Sequence, residues 1–198
     1  MVSLLVNAFA VLVFLFLFWK RLKEDYASQV IFTSAFYILI GLFAGIGLSK
    51  QFFPAWYFWG SLLGAAFGLG LSVARYKVRA YEVAEAGIFS LLPMLLLFFL
   101  NDSVKNSSLV SFIAFLVVLL VIFIFTFLDS RYREFTWYKS GKIGFSGLAA
   151  LGILFLVRSG VAIFFTDVLS FVGKSEVFVS GALAFICFMM IFNLGRQE

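Results

Sequence analysis

The stretch Ser107–Leu128, SSLVSFIAFLVVLLVIFIFTFL, decides the fold. It runs without a single charge and stops at Asp129-Ser130-Arg131. A helix needs about 20 apolar residues to cross a hydrocarbon core, since it rises about 1.5 Å per residue and satisfies its own backbone amides. The stretch therefore predicts a membrane-spanning helix. Reading outward from it finds the same signal six more times. Towards the N-terminus lie Ala86–Leu100, Ala55–Ala74, Val30–Ser49 and Val2–Trp19; towards the C-terminus lie Ile143–Thr166 and Val177–Gly195. Ala86–Leu100 is short for a span unless its helix begins near Ala80 and carries Glu82 and Glu85 at headgroup level.

Composition points the same way. Of 198 residues, 64% are hydrophobic and 13% charged, where soluble domains hold about half and about a quarter. No hydrophilic stretch is long enough for a separate domain. The expectation is one all-α integral membrane domain over residues 1–198, with seven transmembrane helices.

Orientation follows from the basic residues. The connections after spans one, three and five, with the C-terminal tail, carry eleven of the 15 Lys and Arg; the opposite side carries three, and Arg158 lies inside a span. Cations concentrate on the cytoplasmic side, which predicts the N-terminus outside and the C-terminus inside. The first span has its charges after the apolar run, at Lys20, Arg21 and Lys23, and no small-residue cleavage site follows it. That pattern reads as an uncleaved helix rather than a signal peptide.

Several classes of chemistry are set aside. The chain has no His and one Cys, Cys187, so the commonest general base and the usual metal-ligand spacings are missing. No metal and no cofactor is expected. The net charge of +5 belongs to short loops beside apolar spans, where cations set orientation and meet anionic headgroups. No basic patch remains for nucleic acid.

Gly60, Gly64 and Gly68 recur at four-residue spacing in span three, and Gly41 and Gly45 repeat the pattern in span two. Such stripes let helix backbones approach closely; they also leave room for a ligand against the backbone. Arg158 is costly inside a span, by about 2.5 to 3.5 kcal/mol on insertion scales, and must be paired, face a cavity or snorkel. It lies about 12 Å from the outer end of its helix, and its planar fork suits a phospholipid phosphate. Glu82 and Glu85 suit a helix N-terminus, with Arg79 pairing Glu82 at i,i+3. The segment Arg131–Lys142, with Arg133, Glu134, Lys139, Trp137 and Tyr138, reads as an interfacial loop with aromatic anchors.

The order of these residues resembles the prolipoprotein diacylglyceryl transferases of bacteria over most of the chain. Trp19-Lys20-Arg21-Leu22-Lys23 is similar to that family's opening basic turn. Trp59-Gly60-Ser61-Leu62-Leu63-Gly64 resembles its His-Gly-Gly-Leu-Leu-Gly motif, followed by a basic turn at Arg75-Tyr76-Lys77. Phe98-Phe99-Leu100-Asn101-Asp102 stands where the family has Asn-Phe-Leu-Asn-Gly. Lys142-Ile143-Gly144-Phe145 through Arg158 resembles the penultimate helix, which carries an essential arginine. The resemblance implies seven spans in the bacterial plasma (inner) membrane and diacylglyceryl transfer from phosphatidylglycerol to a lipoprotein cysteine. It implies a phosphate-binding Arg158 in a cavity lined by Trp59, Gly60, Gly64 and Asn101, with phosphatidylglycerol-like lipid and a prolipoprotein as partners. The motif histidine is Trp59 here, the family's signature arginine falls near Leu95, and the tyrosine before the essential arginine falls at Leu154. A second expectation is a catalytically inactive phospholipid-binding or scaffolding protein of the same fold. A small-solute transporter subunit is the third.

Overall fold

The computed structural model describes residues 2–135, 138, 143–165, 168 and 171–196, with side chains from residue 5. Seven long helices account for nearly all of it: α1 (Val2–Leu22), α2 (Ser28–Phe52), α3 (Tyr57–Tyr76), α4 (Ala80–Asn106), α5 (Leu109–Arg131), α6 (Phe145–Phe164) and α7 (Lys174–Arg196). All seven are long and apolar enough to cross a membrane, and no strand occurs among the described residues. Short 3-10 turns at Pro54–Trp56 and Tyr132–Glu134 lead into α3 and out of α5. The fourth span takes the longer of its two expected forms, from Ala80 with Pro93 inside it. The seventh begins at Lys174, three residues earlier than the apolar run, and so draws Glu176 into its first turn. Thr166, Glu198, Trp137, Lys139 and Lys142 lie outside the described residues.

The helices alternate in direction, so the C-terminal ends of α1, α3, α5 and α7 share one end of the bundle with the N-terminal ends of α2, α4 and α6. This is the basic end. The helices pair α2 on α3, α6 on α7 and α1 on α4, while α5 joins α4 to α6. Phe14 and Phe18 of α1 pack with Ile31 and Ile38 of α2 and Met94 of α4; Phe155 of α6 packs with Cys187 and Ile191 of α7; Phe125 of α5 packs with Leu92 and Ala150. Large apolar side chains cover the outside, with Phe123 and Phe178 among the most exposed. Such a surface suits hydrocarbon, because contiguous apolar patches of this extent are ruinous in water.

The α2–α3 seam is the glycine stripe. A Cβ at Gly41 would come within 2.9 Å of the Gly64 carbonyl carbon, and one at Gly45 within 2.7 Å of the Gly60 carbonyl carbon. At Gly68 it would meet the Tyr37 carbonyl carbon at 2.6 Å. The missing side chains are what let two backbones touch. Further along the seam Ser72 donates to Ser34 at 2.6 Å, closing a buried pair of hydroxyls.

At the basic end polar groups tie four helices. Arg21 of α1 grips Asp129 of α5 with both arms of its fork, at 2.7 and 2.5 Å, and reaches Glu85 of α4 at 2.5 Å. The second Glu85 oxygen accepts from the Gly144 amide, just before α6, at 2.6 Å. Glu85 is buried within the bundle, because both of its oxygens have partners inside. Glu82 does pair with Arg79, at 2.8 Å, and also accepts from the Tyr26 hydroxyl at 2.6 Å. Burial, and then the Glu82 carboxylate, push the Tyr26 phenol above its ordinary value. Tyr138 was expected as an interfacial anchor. It is instead buried at the edge of the core, ringed by Tyr132 and Phe145, since three aromatic rings close the base of α6 together.

Gly64→Leu is expected to abolish folded yield in detergent, because no rotamer escapes the Gly41 backbone. Leu63→Ala, on the exposed face beside it, should leave the melting temperature within about 3 °C of wild type, as a surface change away from the packed seam. Equal yields and melting curves for the two variants would overturn this reading of the seam.

Candidate functional site

Arg158 stands on α6 towards the end of the bundle opposite the basic end. Its partner is a carboxylate that the apolar runs did not mark as part of a helix. Glu176 accepts from the Arg158 Nε at 3.0 Å and Nη2 at 2.8 Å, both through Oε1. Ser180, one turn further along α7, donates to the same oxygen at 2.6 Å. The remaining oxygen, Oε2, accepts from the indole N–H of Trp59 on α3 at 2.9 Å. Glu176 is fully buried and Arg158 retains 9% exposure.

Local structure explains why these groups meet. Gly173 adopts φ 56°, a backbone conformation that suits glycine, and the Glu176 amide bonds to its carbonyl at 3.2 Å as α7 begins. Glu176 thus falls in the first turn, where the helix dipole favours an anion. Ser180 follows at i+4 on the same face. On α3, Trp59 and Gly60 are successive residues turned to different neighbours. Trp59 lies flat against Phe155, with centroids 5.8 Å apart and planes 13° apart, while Gly60 faces Gly45 and Ser49 of α2.

The guanidinium is enclosed by rings. Its carbon stands 3.6 Å from the Phe58 ring centre, 5.1 Å from Phe171 and 5.9 Å from Trp59. A desolvated cation over an aromatic face gains about 2 kcal/mol. Glu176 supplies the counter-charge, without which neither ion would tolerate burial. Three of the four donors named here converge on Oε1 and one reaches Oε2, so both carboxylate oxygens have partners inside the bundle.

Of the residues expected to share a site, Arg158 and Trp59 come together through Glu176. Gly60 and Gly64 line the α2–α3 seam, where the Ser49 side chain and the Gly45 backbone fill the space beside the first and the Gly41 backbone that beside the second. Asn101 lies half-buried in the last two turns of α4. Glu176 and Ser180 are the residues that sequence reasoning missed. The signal for them was present: an arginine inside a span calls for a carboxylate, and Glu176 and Ser180 sit at i,i+4 spacing beside the last apolar run.

Glu176→Gln should cost about 3 to 5 kcal/mol of stability, because it strands a buried cation. Arg158→Met should cost a similar amount by stranding the anion. The double change Arg158→Met with Glu176→Met should recover most of that loss. Thermal unfolding in detergent reads all three, and a double variant less stable than either single one would show that the pair is not a unit. No family model, curated protein or solved structure matches the chain, so the site is read from its own geometry and from the residues quoted above.

Proposed function

We propose that the chain is a non-catalytic, phospholipid-binding or scaffolding protein on the seven-helix plan of the prolipoprotein diacylglyceryl transferases. It lies in the bacterial plasma membrane with its N-terminus outside and its C-terminus in the cytoplasm. The topology rests on the seven apolar helices and on the concentration of Lys and Arg at one end of the bundle. The resemblance in residue order supports the plan.

One observation carries the non-catalytic reading: Glu176 takes the Nε and Nη2 donors of the arginine that a phospholipid phosphate would need. Diacylglyceryl transfer requires a base to deprotonate the attacking cysteine thiol and cationic stabilisation of the departing phosphate. Trp59 stands at the motif histidine's place, and its indole nitrogen only donates. The Glu176 carboxylate already accepts from Arg158, Ser180 and Trp59. A phosphate arriving here would displace a fully buried carboxylate from its guanidinium. Transfer from phosphatidylglycerol to a lipoprotein cysteine is the rival reading, favoured by the meeting of Arg158 and Trp59 in one cluster.

Complementation separates the two. Expressed in a strain depleted of its diacylglyceryl transferase, neither the wild-type chain nor Trp59→His should restore growth or lipoprotein modification. Restoration by wild type that Arg158→Gln abolishes would overturn the proposal and establish the transferase.

A further inference from the structure

At the basic end the charges are sorted by depth. Glu85 and Asp129 turn to Arg21 and the Gly144 amide, and buried Glu82 is held by Tyr26 and by the exposed Arg79. The cations Lys20, Lys23, Arg75, Lys77, Arg131 and Arg196 remain exposed, against exposed Glu24, Asp25 and Glu134. The rim is therefore more basic than the composition alone conveys, because the interior has absorbed its carboxylates.

Three of these cations share one geometry. Lys23 lies over Trp19 at 5.5 Å, Arg131 over Phe127 at 5.1 Å and Arg196 over Phe192 at 4.9 Å. In each case the ring precedes the cation by four residues, one helical turn, so both occupy one helix face. They stand at the C-terminal ends of α1, α5 and α7. Phe127 and Phe192 are more than half exposed, so ring and cation both look outward from the bundle. The opposite end has exposed Lys50, Lys105 and Lys174, none of them a cation that lies over a ring four residues before it in its own helix.

We infer that these three pairs are stations for anionic phospholipid headgroups of the leaflet at the basic end. The cation takes the phosphate, and the ring packs against the glycerol and upper acyl chain beneath it. A ring held one turn below a cation matches a lipid's own layering of charge above hydrocarbon, and it restrains a side chain that would otherwise range freely. The inference rests on the lipid-embedded reading of the chain and not on its catalytic status, since these stations lie at the other end from Arg158.

The test is native mass spectrometry of protein in detergent micelles doped with equal amounts of phosphatidylglycerol and phosphatidylcholine. Wild type should retain phosphatidylglycerol preferentially, and each of Lys23→Gln, Arg131→Gln and Arg196→Gln should lower that retention about fivefold at its station. The triple variant should lose the preference. The control triple Lys50→Gln, Lys105→Gln and Lys174→Gln should keep it. Melting curves establish that each variant is folded, and the single variants carry the test if the triple is not. A wild type that does not distinguish the two lipids would overturn the inference, leaving the rim to an acidic protein partner. Equal losses in the two triple variants, or undiminished retention in Lys23→Gln, Arg131→Gln and Arg196→Gln, would overturn it too. The complementation result does not alter this readout, so the two proposals fail separately.

Discussion

A charge enclosed among apolar helices has no water to turn to, and the protein must supply its partner from within. Arg158 meets that demand with Glu176, and Arg21 meets it with Glu85 and Asp129. Each cluster draws on three helices or more, because no single helix carries both members of an ion pair and the hydrogen-bond donors around it. The two clusters lie at opposite ends of the bundle. Together they constrain how far the helices that carry them can slide or rotate: a shift of one turn, about 5.4 Å, would strand a buried ion. In a lipid-facing bundle, where hydrophobicity alone distinguishes few packings, such pairs select one arrangement of helices.

Between these ends the constraint changes character. The middle of the bundle has few polar side chains to pair, and contact is decided by shape. Gly41 and Gly45 of α2 meet Gly60, Gly64 and Gly68 of α3 backbone to backbone. The other pairs interlock larger side chains, as Phe155 does with Cys187 and Ile191. Trp59 links the two regimes. It sits on the helix of the glycine seam and reaches away from it, stacking on Phe155 and donating to Glu176. One indole thereby fastens the α2–α3 pair to the α6–α7 pair.

This placement bears on function. An arginine that serves a substrate has to present donors to it. Here the Nε and Nη2 donors are given to a carboxylate that is itself held by a serine and a tryptophan, with rings around the cation. Two of the residues that resemble a catalytic motif in order, Arg158 and Trp59, meet in space through one carboxylate. Separating the two buried ions is costly. The apolar exterior and the basic rim are exposed, and the proposed role in lipid contact rests on them.

Much of the fold was legible in the sequence, because span length and charge asymmetry are local properties that a bilayer imposes on any chain. The uncharged run Ser107–Leu128 predicted α5, and the glycine spacing in spans two and three predicted a close helix seam. The Arg79–Glu82 pair was also readable, being a neighbour relation within one turn. What sequence order could not show was which distant residues meet. Glu176 looked like part of a connection until α7 started at Lys174 and carried it inside. Glu85 read as a carboxylate suited to a helix N-terminus, and its partner Arg21 lies 64 positions away in the chain and next to it in space. Apolarity decides which segments become helices; the pairing of buried charges depends on how those helices rotate against one another, and only the tertiary structure settles that rotation.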